Sequence, residues 1–250
     1  MISVRGLSKK YDDKFAVHDV NLEVKSGEIF GFLGPNGAGK TTTINMLIGM
    51  LTPTSGEIEI CGVNVLKDPK GAKALIGYVP DQPNVYEKLT AWEFLMFVAK
   101  IYNTPEDAAK AKAFELLEMF GIADRANDLI GSFSHGMKQK VVMASALVHN
   151  PKVVFMDEPT VGLDPKSARL VKDILRELAD SGVTVFLTTH ILDIAEKMCD
   201  RIGIIQKGQL LAQGSMEELR RLSSHETNDL SLEDLFLELT NSNDQSDMEE

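Results

Sequence analysis

Hydrophobic and polar positions change period several times along the chain. Ile2-Ser3-Val4 and Val20-Asn21-Leu22-Glu23-Val24 alternate with period two, which predicts strands of a half-exposed antiparallel sheet, with Lys25-Ser26-Gly27-Glu28 as a turn. Segments 29–33, 152–156 and 183–188 are almost wholly apolar, as strands buried on both faces would be. Segments 42–51, 168–179 and 191–198 read as helices, the first ended by Thr52-Pro53-Thr54-Ser55-Gly56. From about 89 to 150 the pattern is helical throughout. Trp92, Leu95, Met96 and Ala99 fall on one face there, and Phe114, Leu117 and Phe120 on another. Segments 201–205 and 209–212 form a hairpin around Gln206-Lys207-Gly208. Three buried strands alternating with helices predict an α/β fold with a parallel sheet, and 89–150 interrupts that alternation as a separate helical lobe.

The 250 residues suffice for one large domain, or one domain with a small appendage. A formal charge of −11 offers no global positive field for a nucleic acid, so none is expected as a partner. The charge is unevenly placed, however: it is −2 through Arg221 and −9 after it, where no Lys or Arg occurs. Leu232, Leu235, Phe236 and Leu239 are spaced as one face of a short docked helix, and beyond Thr240 a disordered acidic end is expected. The division is therefore a main domain over 1–220 and an acidic appendage over 221–250. Cys61 and Cys199 match no metal or redox spacing and read as reduced, partly buried thiols. No signal-peptide pattern is seen at the N-terminus, and the longest charge-free stretch, 41–56, is too short to span a bilayer. A cytoplasmic protein is expected, reaching a membrane only through a partner.

Gly34-Pro35-Asn36-Gly37-Ala38-Gly39-Lys40-Thr41 fits G-x-x-x-x-G-K-[ST] and lies between an apolar strand and a helix. Such a loop turns its backbone N–H groups inward, and the helix beginning near Lys40 adds its positive end. Lys40 can reach the β- and γ-phosphates of a nucleotide, and the Thr41 hydroxyl can ligate Mg²⁺. No acid occurs between Glu28 and Glu57 to repel a polyanion. Asp157 and Glu158 follow the apolar strand at 153–156, where open α/β sheets bind ligands. Asp157 suits Mg²⁺, directly or through water, and Glu158 suits polarising an attacking water. His190 ends the next apolar strand at the same sheet edge, where it can bond the γ-phosphate or that water.

Together these motifs resemble the nucleotide-binding subunit of an ATP-binding cassette (ABC) transporter over roughly residues 1–220. The resemblance implies a P-loop NTPase parallel-sheet core with an antiparallel β subdomain and an α-helical subdomain. Gly34–Thr42 is similar to the family's Walker A loop, 153–157 with Glu158 to Walker B and its catalytic glutamate, and Val161-Gly162-Leu163-Asp164 to its D-loop. His190 is similar to the switch histidine. Tyr11 stands where an aromatic stacks on adenine, with Val17 packing near the same ring. Phe133-Ser134-His135-Gly136-Met137 resembles the signature motif, which implies that Ser134 and Gly136 complete the nucleotide site of an opposite subunit. His135 and Met137 replace the usual first Gly and final Gln. In the Q-loop, Asp81 stands where a Mg²⁺-linked Gln is expected, and Gln82 follows; either residue can take the role.

The resemblance implies an ATPase, with ATP and Mg²⁺ as cofactors, that drives a separate transmembrane permease by closing and opening a dimer with a second cassette subunit. The loop 80–82 and the lobe would receive the permease. The loop features and the apolar 232–239 segment look most like exporter-type systems. The alternative is a soluble cassette ATPase acting on ribosomes or DNA. Against it stand the single cassette, the absence of a long heptad run between the Walker motifs, and the acidity.

Overall fold

The computed structural model describes residues 1–222 and 230–246. Two long strands come first, β1 (Ile2–Tyr11) and β2 (Lys14–Val24), paired antiparallel from Ile2↔Val24 to Tyr11↔Lys14. The period-two reading holds in β2, where Val20, Leu22 and Val24 are buried while Asn21 and Glu23 face water. It does not hold at the start of β1, where Ser3 is buried along with Ile2 and Val4 between β2 and β4. β3 (Ile29–Leu33) is buried at every position, as its apolar run predicts.

The helix after the phosphate loop, α1 (Lys40–Leu47), ends four residues before the expected position 51. Gly49 adopts φ +67, with Gly49 N–H bonded to Met46 O (3.1 Å) and Met50 N–H to Asn45 O (2.9 Å). That paired closure is a Schellman cap, so the glycine stops the helix and the downstream Thr-Pro segment does not. Sequence reading also passed over β4 (Ser55–Ile60), β5 (Val63–Asn64) and α2 (Pro69–Ala74), which complete the antiparallel sheet in the order β2-β1-β4-β5 and lead out of it. Their alternation lasts only a few residues and is broken by glycines.

After β6 (Ile76–Val79) the lobe follows, with α3 (Ala91–Ile101), α4 (Glu106–Met119) and α5 (His135–Leu147). α3 opens with a reciprocal capping box between Thr90 and Glu93. The buried face of α4 is Ala109, Ala113, Leu116 and Leu117; of the face read as Phe114, Leu117 and Phe120, the last two are buried and Phe114 is exposed. Then come β7 (Val153–Asp157), α6 (Pro165–Asp180), β8 (Thr184–Thr189), α7 (Leu192–Met198), β9 (Arg201–Gln206), β10 (Gln209–Gly214) and α8 (Met216–Arg220). The second sheet has the order β10-β9-β3-β8-β7-β6, with five parallel strands and β10 antiparallel at one edge. Two parallel strands thus join the three read from sequence.

α9 (Leu232–Ser246) docks through Leu232 and Leu235, which share an apolar cluster with Leu33, Ala195, Ile204 and Leu219. The predicted apolar face is correct, but the helix continues past Thr240 to Ser246, where disorder was expected. A docked first turn supplies the nucleus, after which each added residue costs little; the Thr240 hydroxyl also donates back to Phe236 O at 2.7 Å. The last four residues of the expected acidic end, 247–250, lie outside the described part, as do 223–229. Cys61 is exposed rather than partly buried, and burial pushes the Cys199 thiol up to about 12. Among the described residues, no helix is long and apolar enough to cross a membrane.

The lobe is tied to the sheet by His149, whose Nε2 donates to Ile76 O at 3.0 Å while its ring stacks on Tyr102 at 3.6 Å and 12°. Its Nδ1 is buried without a hydrogen-bond partner. Burial lowers its pKa from the ordinary 6.5, against the opposing effect of the Ile76 bond. The unfolded state therefore takes up this proton first as pH falls, so the contribution is complete above the unfolded value and is lost toward the lower folded one. The thermal midpoint of the native protein should drop more steeply as pH falls below the ordinary 6.5 than that of His149→Gln. Parallel slopes would remove His149 from the acid sensitivity.

Candidate active site

Strands β3, β8 and β7 are adjacent and parallel, so their carboxyl ends deliver the phosphate loop, His190 and the Asp157-Glu158 pair side by side. Asp157 is 4% exposed at the end of an apolar strand. Its carboxylate accepts a hydrogen bond from the Thr41 hydroxyl at 3.1 Å and another from the Thr188 hydroxyl. The register places Thr188 directly opposite Asp157. Thr188 was not singled out from sequence; the signal was a pair of hydroxyl residues ending an otherwise apolar strand.

Glu158 sits at φ +50, a left-handed conformation uncommon for a residue with a side chain. Its N–H is held by Thr188 O and Oγ1, both at 3.2 Å. The side chain is thereby turned toward Lys40, with Oε1 at 3.9 Å from Nζ and at 3.0 Å from His190 Nδ1. The His190 N–H also donates to Oε2 at 3.3 Å. His190 is half exposed and reaches the site through Glu158 rather than lining the cleft itself.

The Lys40 ammonium donates to Gly34 O (2.7 Å) and Pro35 O (3.2 Å), curling the loop around it. Burial lowers its pKa, and the neighbouring Glu158 and Asp157 counter that effect. Gly39 has φ +107, and a side chain there would lie 2.7 Å from Ala16 O, so β2 is packed directly against the loop. The first turn of α1 contains no acid. The resulting cleft of about 370 Å³ is lined by Asn36, Gly37, Gly39, Lys40, Thr41, Thr42, Asp157 and Glu158, together with Ala16 and Asp81. Ala38 is buried behind the loop.

Several expected members lie elsewhere. Val17 is fully buried, its Cγ2 facing Gly39, and Ala16 lines the cleft in its place, because adjacent strand residues face opposite ways. Gln82 is exposed and does not line the cleft, whereas Asp81 does. Burial, and after it the charges of Asp157 and Asp81, push the Tyr78 hydroxyl up to about 12. Tyr11 is half exposed outside the cleft, with the Lys9 ammonium 5.2 Å over its ring. Ser134 caps α5, its hydroxyl accepting from Met137 N–H at 3.4 Å, and neither it nor Gly136 lines the cleft.

The family profile described as ABC transporter matches residues 17–161. The chain is 42% identical over 219 residues to the linearmycin resistance ATP-binding protein LnrL of Bacillus subtilis, covering 88% of this chain and 70% of that protein. It is 39% identical to the Nod factor export ATP-binding protein I of Burkholderia orbicola, covering 87% and 72%. A solved ATP-binding subunit of an ABC transporter superposes with a TM-score of 0.90 at 34% identity, over 96% of this chain and 99% of the other. This chain belongs to the ABC transporter family, as an ATP-binding and ATP-hydrolysing subunit that serves a separate membrane-spanning partner. The reading as a soluble cassette for ribosomes or DNA finds no support among these relatives.

Lys40→Ala removes a charged donor from the phosphate loop and should weaken ATP binding by about 2–3 kcal/mol, or roughly 30- to 150-fold in Kd. Equilibrium titration with nucleotide checks this; native affinity would contradict the assignment of the loop.

Proposed function

We propose that the cleft holds the triphosphate of ATP on Lys40 and the amides of residues 36–41, and that Glu158 polarises the attacking water while His190 orients it. The observation that carries this reading is the unbroken set of contacts from Thr41 through Asp157 and Thr188 to Glu158, His190 and Lys40. A histidine bonded to a carboxylate is held in one orientation, so both groups can address one water. Tyr11, whose ring is half exposed at the end of β1, is the platform for adenine in this reading.

The donors offered to a metal are oxygens only, the Thr41 hydroxyl and Asp157 at 3.1 Å separation with Asp81 in the same cleft, which fits Mg²⁺. When bound, Mg²⁺ would neutralise charge on the β- and γ-phosphate oxygens. Between the two residues after Pro80, we assign the metal-facing role to Asp81. Ser134 and Gly136 do not line the cleft of their own chain, which supports their service to a second cassette subunit across a dimer closed by ATP.

The permease would dock against the 80–82 loop and the lobe. Trp92, Met96 and Phe97 line an open groove of about 630 Å³ on that lobe. The Nod factor export protein among the relatives supports export as the direction of transport, and in this reading the chain sits on the cytoplasmic face through the permease. No nucleic acid is a partner in this reading.

Glu158→Gln should retain ATP binding and slow hydrolysis by roughly 10²–10⁴-fold, as loss of a positioned general base does. With ATP it should accumulate as a dimer on size-exclusion chromatography. Native turnover would exclude Glu158 from the chemistry. Asp81→Asn should raise the Mg²⁺ concentration for half-maximal hydrolysis by about tenfold, and an unchanged Mg²⁺ curve would return the metal-facing role to Gln82.

A further inference from the structure

His135 is the first residue of α5, between Ser134 and Gly136. Its ring lies over Gly162 of the same chain: a Cβ built on Gly162 would stand 3.2 Å from Nε2 and 3.3 Å from Cδ2. Among the described residues, and apart from the two chain neighbours of Gly162, such a Cβ would meet only His135 within 4 Å. The next pair along repeats the contact in reverse, since a Cβ on Gly136 would stand 3.6 Å from Leu163 Cδ2. The two segments therefore interlock, a ring over one glycine and a leucine over the other. Each segment also starts a helix, with Ser134 capping α5 and Asp164 capping α6.

The segment 161–164 is in turn fastened to the catalytic residue. Val161 N–H donates to Glu158 O at 3.2 Å, and Leu163 N–H donates to Thr160 O at 3.3 Å. A short covalent and hydrogen-bonded path thus runs from Glu158 through the turn to Gly162, and across the His135 ring to Ser134. A glycine at position 135 has no side chain to bridge that gap. Gly162 has φ +75, so it supplies both the turn and the flat surface on which an imidazole can rest.

We infer that His135 is a positioning residue, which sets the Ser134-Gly136 turn against residues 161–164 and so links the half-site this chain offers to a second copy with its own Glu158. The inference rests on the two-subunit reading above, with a second copy of this chain as the other subunit. It makes no use of a contact between His135 and nucleotide; the ring acts through its neighbours.

The test uses the full chain in the Glu158→Gln background, measuring MgATP binding by the monomer and ATP-dependent dimerisation. His135→Gly should leave monomer affinity within about twofold of the parent and weaken the dimer by about tenfold, and His135→Gln, which restores a planar side chain of similar reach, should recover most of the loss. Retained monomer binding also reports that the variant is folded. Gly162→Ala completes a double-mutant cycle: the strain of a left-handed alanine is common to both backgrounds and cancels, leaving the contact itself. Gly162→Ala should cost clearly less in the presence of His135→Gly than alone. Additive losses, or a His135→Gly dimer as tight as the parent's, would overturn the role of His135 while leaving the dimer reading intact. Failure of Glu158→Gln itself to dimerise with ATP would overturn the dimer reading, and this inference with it.

Discussion

The buried carboxylate of Asp157 is the point on which the catalytic edge depends. A charge at the end of a strand buried at every position is costly unless it is hydrogen-bonded. Its partners come from separate elements: the Thr41 hydroxyl from the start of α1, and the Thr188 hydroxyl from the neighbouring strand. Satisfying one buried group therefore fixes where the phosphate loop sits relative to two strand ends. The Lys40 ammonium benefits from the same arrangement, since Asp157 and Glu158 together offset part of its desolvation. Shortage of water, rather than abundance of charge, makes these contacts specific.

Thr188 carries the constraint one step further. The backbone of Glu158 is held at φ +50 by bonds to the Thr188 carbonyl and hydroxyl. A strained backbone of this kind persists only where its surroundings determine it, and here they turn the carboxylate out of the sheet toward Lys40 and His190. Two consecutive acids thus acquire different surroundings. Asp157 is buried between hydroxyls, and Glu158 opens to the cleft against an imidazole.

Much of this was legible in the sequence because each part had a local signal. The phosphate loop has a fixed spacing, buried strands have continuous apolar runs, and α9 shows its docked face in the spacing of four residues. What was not legible depends on tertiary geometry. Gly49 stops α1 by its backbone conformation, which leaves no mark on the apolar pattern. Phe114 shares a helical spacing with the buried Leu117 and Phe120 yet faces water, because the packed face of α4 runs through Ala109, Ala113, Leu116 and Leu117. Ala16 takes the place expected for Val17 because a strand shows only one of two neighbours to the cleft. The Asp81 and Gln82 alternatives could not be separated by spacing, since the direction of one loop residue decides between them. The Thr188 hydroxyl was hidden for a different reason, as a threonine in a strand is ordinary until its partner is known.

The distribution of charge gains its meaning from the two segments that lack acids, 29–56 and 129–156. One contains the phosphate loop. The other contains Ser134 and the opening of α5, whose first turn likewise carries no acid. Both begin helices whose free N–H groups favour an anion, yet Ser134 and Gly136 do not line the cleft that holds Lys40. Two anion-ready helix starts, of which Ser134 and Gly136 stand outside the cleft, support the proposal that the chain contributes half of a shared site. The His135–Gly162 interlock then gives the second start a fixed relation to Glu158 within the chain. In the proposed dimer, a half-site already set inside its own subunit lowers the ordering cost that closure must overcome.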